Sequence, residues 1–100
     1  MIADLKIDDF EACLYQTFQI FHEERPSPLV AELIDVTALP EHGGDDLRRQ
    51  PFSIILRSKD DFILPQRIYQ LSHEKLGTVD LFLVPVGQDK QGVQYEALFA

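Results

Sequence analysis

The chain has 100 residues, 45% of them hydrophobic, and 17 acids stand against 9 bases for a net charge of −8. A chain this long fits one domain, here taken as residues 1–100, and buries roughly 65% of the surface its unfolded form exposes. Phosphate backbones are bound by Lys and Arg that displace counterions, so this acidic balance excludes a nucleic-acid partner and points to basic or neutral ones.

No apolar run approaches the ~20 residues of a membrane-spanning helix. The opening MIADLKIDDF sets Asp8 and Asp9 close behind Lys6 and has no small-residue cleavage site, so it does not read as a secretory signal. The expectation is a cytoplasmic protein without membrane contact.

Ile7, Phe10, Cys13 and Leu14 recur at helical spacing. Asp8 and Glu11 stand three apart, as an N-cap and its reciprocal partner do, so a short helix over about 7–14 is predicted. From Thr17 the period changes to two, with Phe18 and Ile20 alternating with Thr17, Gln19 and Phe21, which predicts a first strand to about His22. EERPSP breaks it, because proline cannot donate to a ladder. LVAELIDVTAL, 29–39, reads as a second strand. Leu29, Ala31 and Leu33 favour one face, whereas Ile34 and Val36 favour the other, which is the signature of a bulge or of burial on both faces.

PEHGGDDLRRQP is the longest polar stretch and predicts a mobile surface loop, with Arg48 and Arg49 offset by Asp45 and Asp46. FSIILRS follows as a strand that sets Phe52, Ile54 and Leu56 on one face. After the connector KDDFILP, QRIYQLSH over 66–73 and TVDLFLVPV form a hairpin around EKLG, where Gly77 is available for a positive φ. The near-continuous apolar run from Leu81 to Val84 predicts a central strand covered on both faces. Pro85 marks where pairing loosens. GQDKQG is a second reversal, and VQYEALF a last strand with Tyr95, Ala97 and Phe99 inward.

The total is one short N-terminal helix and about six strands. Consecutive antiparallel pairing is the simplest topology, and a sheet this size hides its apolar face by curling or splitting into layers. The predicted fold is mainly β: a small antiparallel barrel or sandwich with the helix plugging one end.

No catalytic, cofactor or metal motif emerges from the spacing. His22, His42 and His73 are far apart in sequence, with no HxH, HxxxH or CxxC, and the reading for them is solvated histidines at strand ends. A metal site assembled by folding, with His22 near His73, is the alternative. Cys13 stands alone, so no intrachain disulfide forms, and on the apolar side of a helix it reads as a small buried hydrophobe. The acid pairs Asp8–Asp9, Asp45–Asp46 and Asp60–Asp61 read as solvated charge. HGGDD lacks the alternating acids of a calcium loop, and Gly43–Gly44 lacks the context of a nucleotide-binding loop. Ser53, Ser58 and Ser72 have no G-x-S-x-G elbow. Arg57, Arg67, Tyr69 and Tyr95 come from strands expected to be neighbours. They form the candidate interaction patch, with cross-strand packing and cation–π contact as the competing reading.

DDFEACLYQTF, PFSIILR, LPQRIYQLSHEKLGTVDLFLVPVG and YEALF span nearly the whole chain. Together they resemble a small family of bacterial domains of unknown function, about one hundred residues long. The resemblance implies gene neighbourhoods with phage-tail-like proteins and an accessory role, and it carries no active site. Relatives tend to show Thr before the first helix, where this chain has Lys6.

The leading functional expectation is a non-enzymatic interaction module that contacts a protein partner or a second copy. For self-association, a sheet edge such as the first or last strand is the expected surface. Two alternatives stand beside it: a small-molecule-binding barrel, disfavoured because side chains fill so small an interior, and a small hydrolase using His73, Asp80 or Cys13.

Overall fold

The computed structural model describes residues 5–40 and 50–99. His42, the two glycines after it, Asp45–Asp46 and Arg48–Arg49 lie outside the described residues, as does most of the stretch read as a mobile loop. The elements in chain order are helix α1 (Ile7–Glu11) and strands β1 (Thr17–Phe21), β2 (Leu29–Ala38), β3 (Phe52–Ser58), β4 (Arg67–His73), β5 (Gly77–Asp89) and β6 (Gly92–Phe99). The strands close into an antiparallel barrel in the order β1-β2-β3-β6-β5-β4, with β4 returning to β1. The fold is therefore a barrel and not a two-layer sandwich.

Two three-stranded meanders build it. Within each, neighbours in sequence pair: β1 with β2 and β2 with β3, then β4 with β5 and β5 with β6. The seams between meanders are β3–β6 and β1–β4. Consecutive pairing thus fails at one place, β3 to β4, whose strands lie on opposite sides of the ring. It also leaves the first and last strands without a free edge, because β1 has partners in β2 and β4 and β6 has partners in β3 and β5.

The strand register follows the period-2 pattern. In β1, Phe18 and Ile20 are buried between exposed Thr17, Gln19 and Phe21. In β6, Tyr95, Ala97 and Phe99 point inward. The irregular alternation of β2 is a register shift against β3 between Leu33 and Asp35, the bulge that the sequence implied. Pro85 sits at the second shift, between Pro85 and Gly87, where a residue without an N–H interrupts the ladder with β6. β5 nevertheless runs on to Asp89, so the second reversal is only Lys90–Gln91. At the β4–β5 turn Gly77 has φ +76.

Both mouths of the barrel are stopped. At one, α1 inserts Phe10, fully buried, against Phe99, Phe52 and Phe18 at ring separations of 5.1, 5.7 and 6.4 Å. The helix is held at its start by the Asp9 carboxylate, which accepts from the Lys6 amide at 2.8 Å. The cap is thus Lys6 with Asp9, and not Asp8 with Glu11. The helix also ends at Glu11, giving way to a turn in which Tyr15 takes φ 68. The amide of that residue donates to the Leu33 carbonyl at 2.7 Å, a bond that docks the turn on β2.

At the other mouth the β3–β4 connection has to cross the ring to reach the opposite wall. It carries Leu64, fully buried, across the opening. A buried amide there needs an acceptor; the Leu64 N–H finds it in the Tyr95 hydroxyl at 2.9 Å. Upstream, Asp60 shapes the turn: its carboxylate accepts from the Phe62 amide at 2.8 Å, and its own amide donates to Ser58 Oγ at 3.2 Å. Asp60 is thus a structural acid, where the sequence suggested only solvated charge.

A Phe10→Ala substitution leaves a void among three aromatic rings and should cost about 3–5 kcal/mol. Chemical denaturation of the variant beside wild type checks it; a loss below about 1 kcal/mol would mean the helix does not seal the barrel.

Candidate interaction surface

The chemistry-bearing side chains divide between the two mouths. His22, just after β1, lies at the mouth crossed by residues 59–66, whereas His73 ends β4 at the helix end. The alternative of a shared metal site is therefore not met. Among the described residues no group of three His, Cys, Asp or Glu is placed to hold a metal ion. Neither histidine is solvated. His73 is buried beside Phe18 with ring centroids 4.7 Å apart, and His22 packs edge-on to Phe62 at 5.5 Å.

At the helix end, Cys13 and His73 do meet, with Sγ 3.9 Å from Nδ1. The hydrogen bonds around the ring decide what that contact does. Nδ1 accepts from the amides of Lys75 and Leu76 at 3.1 and 3.3 Å, so the ring proton sits on Nε2, 2.7 Å from Gln16 Oε1. The one lone pair that faces the sulfur is already engaged in closing the β4–β5 turn. Burial pushes the Cys13 thiol above its ordinary value, with Lys75 opposing that and Asp9 adding to it. A nucleophilic thiol needs the opposite shift. Asp80, the third residue of that alternative, faces outward from β5 opposite Gln70 and joins neither.

At the far mouth, Arg25 pairs with Asp60 at 2.6 Å while its guanidinium lies 5.1 Å from the Phe62 ring centroid. Arg67 lies 5.1 Å from the Tyr69 ring centroid and 3.6 Å from Glu23. These contacts also resolve the patch of Arg57, Arg67, Tyr69 and Tyr95. Tyr69 and Tyr95 are buried inside the barrel, since both occupy inward positions of their strands, so they offer no surface. The Tyr69 hydroxyl donates to the Pro65 carbonyl, and Tyr95 holds the crossover. Arg57, on β3, is engaged by Gln91 at 2.7 Å and Glu32 at 3.3 Å. β4 is not a neighbour of β3 or β6, so the four residues form no common face, and the cation–π contact of Arg67 with Tyr69 lies within β4 and not across strands.

The surface that is unaccounted for lies on the outer wall. Phe82 was expected to be covered, yet β5 alternates strictly there, burying Leu81 and Leu83 and exposing Phe82. A closed single-layer barrel has no second layer to cover its outside. Ile68 stands directly opposite Phe82 across the β4–β5 ladder. Phe21, on β1, pairs with Gln70, which places it diagonally beside Ile68; Val30, opposite Gln19, is diagonal to Phe21 in turn. Leu98 extends the row on β6, two positions beyond Glu96, just as Phe82 precedes by two the Val84 that faces Glu96. Val30, Phe21, Ile68, Phe82 and Leu98 are each between 40% and 68% exposed and run across five adjoining strands. Single exposed apolar residues are ordinary, but a contiguous row of this kind marks a contact surface.

The charges around this row are mostly acidic, with Arg25 and Arg67 near Phe21 and Ile68 at one end. The strands that carry it hold five acids, Glu32, Asp35, Asp80, Asp89 and Glu96, and a single permanent cation, Arg67, already beside Glu23. Among the described residues, Asp80 and Glu96 form no ion pair.

Fold and surface together define a small sealed β-barrel with an apolar, acid-flanked outer wall. Residues 5–99 match the family described as "Domain of unknown function (DUF6916)", and the chain belongs to that family. No curated protein and no solved structure matches it.

Two measurements check the site chemistry. A thiol reagent at neutral pH should modify Cys13 no faster than the protein unfolds, and labelling at the rate of a free thiol would contradict its burial. The thiol of Cys13 and the hydroxyls of Tyr69 and Tyr95 are all raised, chiefly by burial. Folding therefore favours their protonated forms: the benefit is whole at neutral pH and drains away as pH climbs past 9.0, where an ordinary thiol ionises, and past 10.0 for tyrosine. Denaturation midpoints should fall over that alkaline range, and less steeply in Cys13→Ala.

Proposed function

We propose that this domain is a non-enzymatic protein-interaction module that binds through the outer row of Val30, Phe21, Ile68, Phe82 and Leu98. One observation carries the reading: the strands spend their inward side chains on a filled interior and still leave five apolar side chains aligned on the outside. Evolution of a free monomer places polar residues at such positions, because an exposed apolar row invites association.

The other readings have less behind them. A ligand-binding barrel needs an interior cavity, whereas Phe18, Ile20, Leu56, Leu71, Leu83 and Tyr95 are fully buried in one core cluster and both mouths are stopped by side chains. A hydrolase needs a free base beside its nucleophile, and His73 has both ring nitrogens in hydrogen bonds. The acid excess on the wall disfavours nucleic acid. No helix among the described residues is long and apolar enough to cross a membrane, and the reading places the module in the cytoplasm. An accessory position in a bacterial phage-tail-like assembly, which the resemblance implies, is a setting where such a module serves.

Substituting Ile68→Asp together with Phe82→Asp should leave the barrel folded, because both side chains face solvent, and should abolish retention of partner proteins by the immobilised domain in extracts of its own cells. Retention unchanged in the double variant, with circular dichroism matching wild type, would refute the surface.

A further inference from the structure

Resting on that reading, we infer that the wall selects its partner by charge: the occupant is a protein segment presenting apolar side chains bordered by Lys or Arg, and it is not a second copy of this chain.

Charge balance is the first argument. The five strands of the wall carry five acids and one permanent cation. Glu32 is paired by Arg57 of β3 and that cation, Arg67, lies beside Glu23, which leaves Asp35, Asp80, Asp89 and Glu96 as the acids of the wall without an ion pair among the described residues. Asp80 stands two residues before Phe82, and Glu96 stands opposite Val84, so carboxylates with no ion pair among the described residues lie on both sides of Phe82. Two copies meeting through this wall bring carboxylates together as apolar contact excludes water, and like charges facing each other in a contact are strongly disfavoured. The whole chain at −8 adds long-range repulsion between copies. A partner bearing Lys or Arg at the margins converts the same carboxylates into attraction and faster encounter.

Shape is the second argument. The row runs around the outside of a closed barrel and is convex across the strands. Two convex walls touch along a narrow line, well short of the roughly 800 Å² per partner of a stable contact. A flexible segment laid across β1, β4 and β5 follows the curvature instead.

The test uses two fluorescent peptides with one alternating Val/Leu pattern, flanked in one by Lys and in the other by Glu. Anisotropy titrations with the intact domain should show the Lys peptide bound at least about tenfold more tightly. That preference should shrink to within about threefold in Asp80→Asn/Glu96→Gln and weaken between about 50 and 500 mM salt. Sedimentation of the domain alone should give a monomer at the same concentrations. Equal binding of both peptides would overturn charge selection while leaving the apolar contact standing. No binding of the Lys peptide, or a stable homodimer lost in Ile68→Asp/Phe82→Asp, would also overturn the inference. Undiminished binding of the Lys peptide by that double variant would instead sink the interaction surface itself, because the attraction would then be general to an acidic protein.

Discussion

The structure depends on the passage of residues 59–66 over one mouth of the barrel. Because β3 pairs with β6 and β4 with β1, the chain has to cross the ring between its two meanders, and the crossing carries backbone into an apolar opening. A backbone N–H in that position costs about 1–3 kcal/mol if it finds no acceptor. The Tyr95 hydroxyl meets the Leu64 amide, and Asp60 fixes the turn that leads into the crossing. With this connection seated, Leu64 closes one end while Phe10 closes the other, and the interior becomes a single packed core. The half-exposed Arg25–Asp60 pair adds little energy of its own, about 1 kcal/mol or less. Its effect is to hold the crossing in register with the loop after β1.

Closure has a further consequence for the outside. A sandwich covers one face of each sheet and exposes the other; a barrel puts every inward residue in one core and leaves every outward residue without a layer above it. Outward positions on β4 and β5 are therefore open to solvent in the free domain. Ile68 and Phe82 are not polar. Under the proposed function, the acids that flank them set the sign of charge that a partner has to carry. The contact of Cys13 with His73 belongs to a different order of events: it packs the helix end beside the β4–β5 turn, whose Lys75 and Leu76 amides the imidazole holds.

Much of the local structure was legible from single segments. Period-2 alternation marked Phe18 and Ile20, and Tyr95, Ala97 and Phe99, as inward, since side chains on a strand can point only two ways. The broken alternation around Leu33 announced a bulge, and Pro85 a lapse in pairing, because each is a property of the residue and its two neighbours. The family membership likewise belongs to the linear text, for the matching phrases run from one end of the chain to the other.

What the linear text left open depends on pairs distant in sequence. Leu81–Val84 looked like a strand covered on both sides, since an apolar run does not say whether a second layer exists; only closure of one sheet leaves Phe82 in the open. Tyr69 and Tyr95 looked available for contact until the ring order set them inside, one beneath Arg67 and the other under the crossover. His73 and Gln16 are 57 residues apart, and no spacing rule links them. The sequence by itself determined which residues alternate, where strands break and how acidic the surface is, because those are local or additive properties. The tertiary structure alone decided which strands are neighbours, and so which side chains seal the barrel and which line up on its outer wall.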